Sequence, residues 1–216
     1  MVSESVTSPV GVRFDWLIFI SLLAVLTVSV VVFNWQVRRW TKDRAWYALL
    51  DWGRRRGFTL SQVVDDAPEP FDRLAGARIV TSLRKAGVVV AQIETRAGTD
   101  VERARWHVLV CETASGVSWA ATALRPALAP TSVFDLFSLG SFPGMGESER
   151  FVIFGTDSTA ARQLSSSQAR ALLPPDVGLL LAGTRLALDF SARPFDPIEL
   201  DRMTALAEQL VRHLAA

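Results

Sequence analysis

The chain has 216 residues, half of them hydrophobic, with 23 basic and 22 acidic side chains and a formal net charge of +1. This balance does not fit a nucleic-acid-binding body, which would carry a basic bias. The only cysteine, Cys111, excludes an intrachain disulfide, and with two histidines the chain cannot build a His/Cys metal site of the usual ligand number.

Residues 16–37 form one apolar stretch that contains no acidic, basic or histidine side chain. At about 1.5 Å per residue the stretch extends about 33 Å, enough to cross a hydrocarbon core of about 30 Å. Trp16, Trp35 and Trp40 fall where aromatic rings favour the membrane interfaces. A cleavable signal peptide or a buried soluble helix would also be apolar. The apolar region of a signal peptide, however, is usually about 7 to 15 residues long and ends at a small-residue cleavage site. The stretch therefore predicts a single-pass transmembrane helix acting as a signal anchor, after a disordered tail in residues 1–15.

A basic segment follows the span, and the absence of proline before Gly57 predicts that the helix continues over residues 38–57. By the positive-inside rule, the N-terminus lies outside and the C-terminal domain lies in the cytoplasm. The 21 arginines against 2 lysines suggest a bacterial genome rich in G and C, and hence an inner membrane. Two interpretations of the segment stay open. Its cations bind anionic lipid headgroups, or they only set topology while a stripe of Trp46, Leu49, Leu50 and Gly53 packs on the domain. The lipid-binding candidates are Arg38, Arg39, Lys42, Arg44, Arg54, Arg55 and Arg56.

Residues 58–77 read as a linker because they contain adjacent acidic residues and two prolines, and the soluble domain is predicted over residues 78–216. Its first half has four runs rich in β-branched and aromatic residues, at 78–84, 88–96, 103–113 and 117–125, which predict an antiparallel meander. In the third run, Trp106, Val108 and Val110 share one face, while His107, Leu109 and Cys111 share the other.

The second half mixes helices with strands. Residues 150–155 predict a strand, Asp157 caps a short helix, and residues 178–190 predict a hairpin. The last helix is predicted to begin with Asp196 as the N-cap and to have a capping box with Glu199. Its apolar face consists of Met203, Leu206, Leu210 and Leu214. The predicted fold class is α+β, with a mainly antiparallel sheet and helices packed on one face.

The order of a span, a basic helix ending in RRRGF, a four-strand block, the segment FVIFGTDSTAARQLSSSQARALLP and a closing amphipathic helix resembles small bacterial single-span membrane-anchored proteins of unknown function. The resemblance covers most of the chain. It implies this domain layout and no chemistry.

The search for chemistry is negative, and the sequence assigns no catalytic residue, cofactor or metal. His107 and Cys111 lie four residues apart on one predicted strand, about 13 Å, which is too far for a thiolate–imidazole pair. The acidic pairs at 65–66 and 147–149 lack the alternating spacing of a calcium loop. The glycines at 144 and 146 are only a fragment of a phosphate loop, and the nucleophile-elbow and P-loop motifs are missing from the sequence.

Three functions stay open. The leading prediction is a membrane-tethered, non-enzymatic module whose cytoplasmic domain binds a protein partner or self-associates through an apolar loop in residues 131–149. The candidate contacts there are Phe134, Phe137 and Phe142. The alternatives are recognition of anionic lipid by the basic helix and an enzyme of an unrecognised kind.

Overall fold

The computed structural model describes residues 10–61, 68–74, 76–96, 103–113, 118–129, 131–142 and 150–214. Three predicted features lie outside these residues: residues 1–9 of the tail predicted over 1–15, the acidic pairs at 65–66 and 147–149, and the glycines at 144 and 146. Residues 10–15 of the predicted tail are helical, which corrects the prediction of disorder there. The chain divides into two compact units, Met1–Tyr47 and Ala48–Ala216.

The first unit contains most of helix α1 (Val10–Arg56), which begins six residues before the predicted start of the span. One helix in the described part of the chain is long and apolar enough to cross a membrane, and it is this one, near the N-terminus. Its large apolar side chains from Trp16 to Val37 are exposed, as a lipid-facing helix requires. The hydroxyls of Thr27 and Ser29 donate to the carbonyls of Leu23 and Val25, both at 2.8 Å, so these polar groups need no external partner.

The second unit is an α+β domain, as the sequence predicts, built on one nine-stranded antiparallel sheet. Its strands are β1 (Thr59–Ser61), β2 (Arg78–Lys85), β3 (Val88–Arg96), β4 (Arg103–Glu112), β5 (Trp119–Pro126), β6 (Gly140–Ser141), β7 (Phe151–Gly155), β8 (Gly178–Gly183) and β9 (Arg185–Asp189). Its further helices are α2 (Ser158–Ser166), α3 (Gln168–Leu172) and α4 (Pro197–Leu214), with 3-10 turns at Phe71–Arg73 and Val133–Leu136.

The strand order is β1-β2-β3-β4-β9-β8-β5-β7-β6, which corrects the predicted four-strand meander. Strands β2, β3 and β4 are neighbours as expected, but the β8–β9 hairpin separates β4 from β5. The physical reason is burial on both faces. In the hairpin, at most 1% of the surface is exposed at each of Leu179, Leu180, Leu181 and residues 186–188. Because this hairpin is apolar on both faces, it is most stable at the centre of the sheet.

The two faces of the sheet carry separate cores, and the predicted faces of β4 are confirmed. Leu109 and Cys111 lie in the larger core, beneath the helices, whereas Trp106, Val108 and Val110 lie in the smaller core on the opposite face. Helix α4 supplies Leu200, Met203, Leu206 and Leu210 to the larger core. On the opposite face, the 3-10 turns place Phe71, Val133 and Phe134 in the smaller core.

The predicted linker is partly structured. Strand β1 pairs with β2, placing Leu60 opposite Leu83, while Phe58 is buried and stacks on Trp52 with 5.1 Å between ring centroids. Phe71 is fully buried. Residues 58–61 and Phe71 therefore belong to the domain, which the interpretation of residues 58–77 as a linker missed.

The C-terminal end of α1 packs on this domain. Leu49, Trp52 and Gly53 are buried, and a Cβ at Gly53 would lie 3.1 Å from a methyl group of Leu83. The indole N–H of Trp52 donates to the Asp201 carboxylate at 2.8 Å. Two residues of the predicted stripe, Leu49 and Gly53, thus pack as expected, and Trp52 joins them.

The start of α4 is confirmed as an Asp196 N-cap, because the Asp196 carboxylate accepts from the Glu199 N–H at 2.9 Å. The predicted capping box does not close. The Glu199 carboxylate accepts instead from Arg193 and from Arg202, so its charge is neutralised inside the domain.

Candidate functional site

The predicted contact loop changes once burial is known. Phe134 is 3% exposed and packs in the smaller core, so it is not available on the surface. Phe137 is half-buried against Phe71, with 5.7 Å between ring centroids, and Phe142 is half-buried against the larger core. Whether Phe137 and Phe142 contact a partner stays a prediction.

The exposed apolar residues of this region are leucines. Leu128, directly after β5, is 89% exposed, and Leu136 in the Val133–Leu136 turn is 42% exposed. We call Leu128, Leu136 and Phe137 the leucine surface. Single exposed apolar residues are common and do not by themselves indicate a binding site. The leucine surface is a candidate because its turn is firmly held and because a cleft lies beside it.

Short-range polar contacts fix the turn that carries Leu136. The Asp135 carboxylate accepts from the Ser132 N–H at 2.9 Å, and the Ser132 hydroxyl accepts from the Phe134 N–H, completing a capping box. The other oxygen of Asp135 pairs with Arg125 of β5 at 2.8 Å. The turn is therefore tied to the sheet at both ends.

A buried carboxylate anchors the same segment from below. Asp189, at the end of β9, is 5% exposed. One of its oxygens accepts from the Ser132 hydroxyl at 2.6 Å and from the Val133 N–H at 3.0 Å. The other accepts from the N–H and the hydroxyl of Ser191. The buried charge has four donors, which a carboxylate requires when it is removed from water.

Leu128 also borders a cleft of about 490 Å³. Its walls are mostly apolar, and its polar groups include Asp176 and Ser191. A volume of this size falls within the usual range for binding pockets, about 300 to 1,000 Å³. The apolar lining residues are Ala104, Trp106, Leu128, Ala129, Pro175 and Ala192.

Near this cleft His107 lies close to serine and aspartate, but its ring is already bonded. Nδ1 lies 2.9 Å from the Arg193 carbonyl, which can only accept, so Nδ1 carries the proton and Nε2 accepts from Gln92 at 3.1 Å. Burial lowers the pKa of His107, which favours this neutral form. Its backbone N–H, rather than its ring, contacts the Ser191 hydroxyl. The residues are not connected as a Ser–His–Asp triad.

Arg193 links two carboxylates next to the cleft. Its guanidinium binds Asp176 through two hydrogen bonds, at 2.6 and 2.7 Å, and also donates to the buried Glu199. The hydrogen bonds from Arg193 hold the pKa of Asp176 below its ordinary value, and Asp176 in turn raises the pKa of Arg193. This fork-shaped pairing fixes the loop before α4.

Cys111 is 5% exposed, and burial raises the pKa of its thiol to about 12. It is therefore protonated at neutral pH and does not supply a thiolate. In the described ranges no group of three or more His, Cys, Asp and Glu side chains is arranged to hold a metal ion.

The predicted lipid-binding cations lie in both units. In the first unit, Arg38, Arg39, Lys42 and Arg44 are exposed, and the guanidinium of Arg44 lies 3.6 Å from the centre of the Trp40 ring. In the second unit, Arg54 is exposed, while Arg55 pairs with Asp51 at 3.1 Å and Arg56 pairs with Asp201 at 2.8 Å. Two of the seven candidates thus already have carboxylate partners, and lipid binding by the set stays a prediction.

No family model, curated protein or solved structure matches the chain. The resemblance to small bacterial membrane-anchored proteins therefore stays a prediction.

Sequence reasoning missed Leu128 and the cleft. The segment containing Leu128 lies between Pro126 and Pro130, and prolines at these positions predict only that a strand ends there. The signal in the sequence that could have indicated an exposed Leu128 is its place between two prolines, because prolines keep this segment out of a central strand in which the leucine would be buried.

Proposed function

We propose that the chain is a membrane-tethered, non-enzymatic module whose domain lies in the cytoplasm and binds a protein partner, or a second copy, through the leucine surface. The tether is helix α1. The cytoplasmic orientation is supported by seven basic and two acidic residues in positions 38–56.

The observation that carries the proposal is a highly exposed leucine next to a rigidly held turn. Leu128 borders an apolar cleft, and the neighbouring turn is fixed by the buried Asp189 carboxylate and by the Arg125–Asp135 pair. Apolar groups presented on a fixed backbone lose little conformational entropy when a partner covers them, and this favours binding.

The polar groups near the cleft support a binding role over a catalytic one. His107 is neutral with both ring nitrogens bonded, Asp189 has four donors, and Asp176 is held by Arg193. Each of these groups is bonded to a neighbouring side chain or backbone group. A general base or nucleophile would need a free lone pair facing a substrate.

Orientation is tested by protease protection of an epitope placed after Ala216. We expect protection in spheroplasts and cleavage in inverted vesicles. Cleavage in spheroplasts would place the domain outside the cytoplasm and contradict this part of the proposal.

Binding is tested with Leu128→Asp in the full-length protein. Burying a leucine side chain contributes about 1.5 to 3 kcal/mol, so losing that contact should weaken binding by about tenfold to a hundredfold. The readouts are in-cell crosslinking for self-association and quantitative co-purification for a partner.

The matched control is Ile198→Asp, since Ile198 is 67% exposed on α4 and does not line the cleft. We expect Ile198→Asp to keep the complexes that Leu128→Asp loses, with unchanged thermal unfolding in both variants. Equal retention, or equal loss, in the two variants would refute the assignment to the leucine surface.

A further inference from the structure

A second cavity lies away from the leucine surface, between α4 and the β2–β3 hairpin. Its volume is about 510 Å³. The walls that matter are Val88 and Cys111 on the sheet, and Ala207 and Val211 on α4. At Gly87 the positive φ of 72° requires glycine, so the rim there is bare backbone. We call this the α4 groove.

The α4 groove adjoins a smaller polar pocket of about 220 Å³. The two cavities share Ala86, Val88, Thr204 and Glu208 in their linings, so an elongated ligand could occupy both. The α4 groove is apolar along its floor, whereas the polar pocket brings together four charged side chains. A combined site of this kind has one end for a hydrocarbon and one end for a charged head.

Charge pairing inside the polar pocket indicates which head fits. Arg56 and Asp201 are paired with each other at 2.8 Å, and Asp201 also accepts from the Trp52 indole. Lys85 and Glu208 are exposed residues that line the same pocket, and within the described residues neither pairs with an oppositely charged side chain. The Lys85 ammonium also lies 5.9 Å from the centre of the Phe58 ring. The pocket therefore offers one cation and one anion without a charged partner, which complement a head that carries both signs.

Around the α4 groove, Glu112 is paired with Arg185 at 2.7 Å. A further cation, Arg212, lines the α4 groove but not the polar pocket that takes the head. Burial of Cys111, whose thiol pKa is about 12, marks the floor as a poor environment for charge. An acyl chain suits that floor better than a polar peptide segment does.

We infer that the α4 groove and the polar pocket bind one acyl chain and the head of a zwitterionic phospholipid of the phosphoethanolamine class. The phosphate faces Lys85, the ammonium faces Glu208, and the chain lies along Val88, Ala207 and Val211. The inference rests on the membrane tether of the proposed function, because a tethered domain meets phospholipid at high local concentration, and it does not depend on the leucine surface.

The test uses the full-length protein in dodecyl maltoside micelles with a lysophosphatidylethanolamine that carries a diazirine on its acyl chain. After photolysis, labelled peptides are mapped by mass spectrometry. We expect label at residues 86–88, 111–112 and 204–212, and competition by unlabelled lysophosphatidylethanolamine at least about threefold more effective than by lysophosphatidylglycerol of equal chain length.

Three variants sharpen the result. Thr204→Trp fills the junction of the two cavities and should reduce groove labelling at least about tenfold. Gln209→Trp adds the same ring to the exposed face of the same helix and should leave labelling unchanged. Glu208→Gln removes one exposed charge without threatening the fold, and should abolish the preference for lysophosphatidylethanolamine over lysophosphatidylglycerol.

Label confined to residues 16–37 would overturn the site. Equal labelling of the Thr204→Trp and Gln209→Trp proteins would do the same. Equal competition by the two lysolipids, or adducts to a second protein from a photoreactive residue placed at Thr204, would overturn the zwitterionic lipid as the occupant. Leu128→Asp should leave groove labelling intact, so failure of the protein-binding proposal can be distinguished from failure of this one.

Discussion

Replacing Asp189 by asparagine tests whether the buried carboxylate holds the turn beside the leucine surface. Asparagine keeps the size of the side chain but turns one acceptor oxygen into an NH₂ group. Each oxygen of Asp189 now accepts one backbone N–H and one hydroxyl. The NH₂ group would face donors, so two of the four hydrogen bonds are lost. Hydrogen bonds to charged groups contribute about 1.5 to 3 kcal/mol each. Because a serine hydroxyl can rotate to accept, we expect the lower end of the sum, a loss of about 3 kcal/mol.

The assay is urea unfolding of the full-length protein in detergent micelles, followed by the fluorescence of its seven tryptophans. With a slope of about 2 kcal/mol per molar urea, the midpoint should fall by about 1.5 M. Asp51→Asn is the control, because it removes an exposed carboxylate paired with Arg55 and should change stability by less than about 0.5 kcal/mol. A loss of less than about 1 kcal/mol for Asp189→Asn would refute the reasoning.

Two further predictions concern the packing of Gly178 and the protonation of His107. Gly178→Ala should destabilise by about 1 to 3 kcal/mol, because its Cβ would lie 2.8 Å from the ring of Phe134; a neutral effect in the same urea assay would contradict the packing. Burial lowers the pKa of His107 from 6.5, so the unfolded chain binds the proton more readily. Stability from this group should be complete above about pH 6.5 and fall as the pH drops below it. His107→Gln should flatten that part of the pH profile; a profile equal to that of the unsubstituted protein would contradict the assignment.

Local patterns in the sequence predicted most elements, because helix and strand periods depend on neighbouring residues alone. The runs at 78–84 and 88–96, the Asp157-capped helix and the amphipathic face of α4 are all present. The order of strands could not be predicted in this way. Alternating apolar residues in β4 and β5 tell which face is buried but not which strand lies alongside.

The candidate site was harder to predict because its contacts join distant parts of the chain. Ser132 and Asp189 are 57 residues apart, and Trp52 and Asp201 are 149 apart. Serine, aspartate and tryptophan also occur in loops and helix caps without such a partner. Their presence in the sequence therefore does not predict these pairs. The burial of Phe134 accompanies the contacts of Asp189 with Ser132 and Val133. A count of apolar residues cannot distinguish the buried Phe134 from the exposed Leu128.

Polar contacts fix both proposed surfaces, through a buried carboxylate at Asp189 and a partly exposed one at Asp201. A buried ion with full hydrogen bonding adds little net stability compared with a packed apolar side chain, since removing it from water costs about as much as its bonds return. What Asp189 supplies is therefore chiefly position, because it sets the turn beside Leu128. Asp201 holds Trp52 and Arg56 at the wall of the polar pocket from a more exposed place. An apolar residue in place of Asp189 would remove the contact that orients the turn beside Leu128.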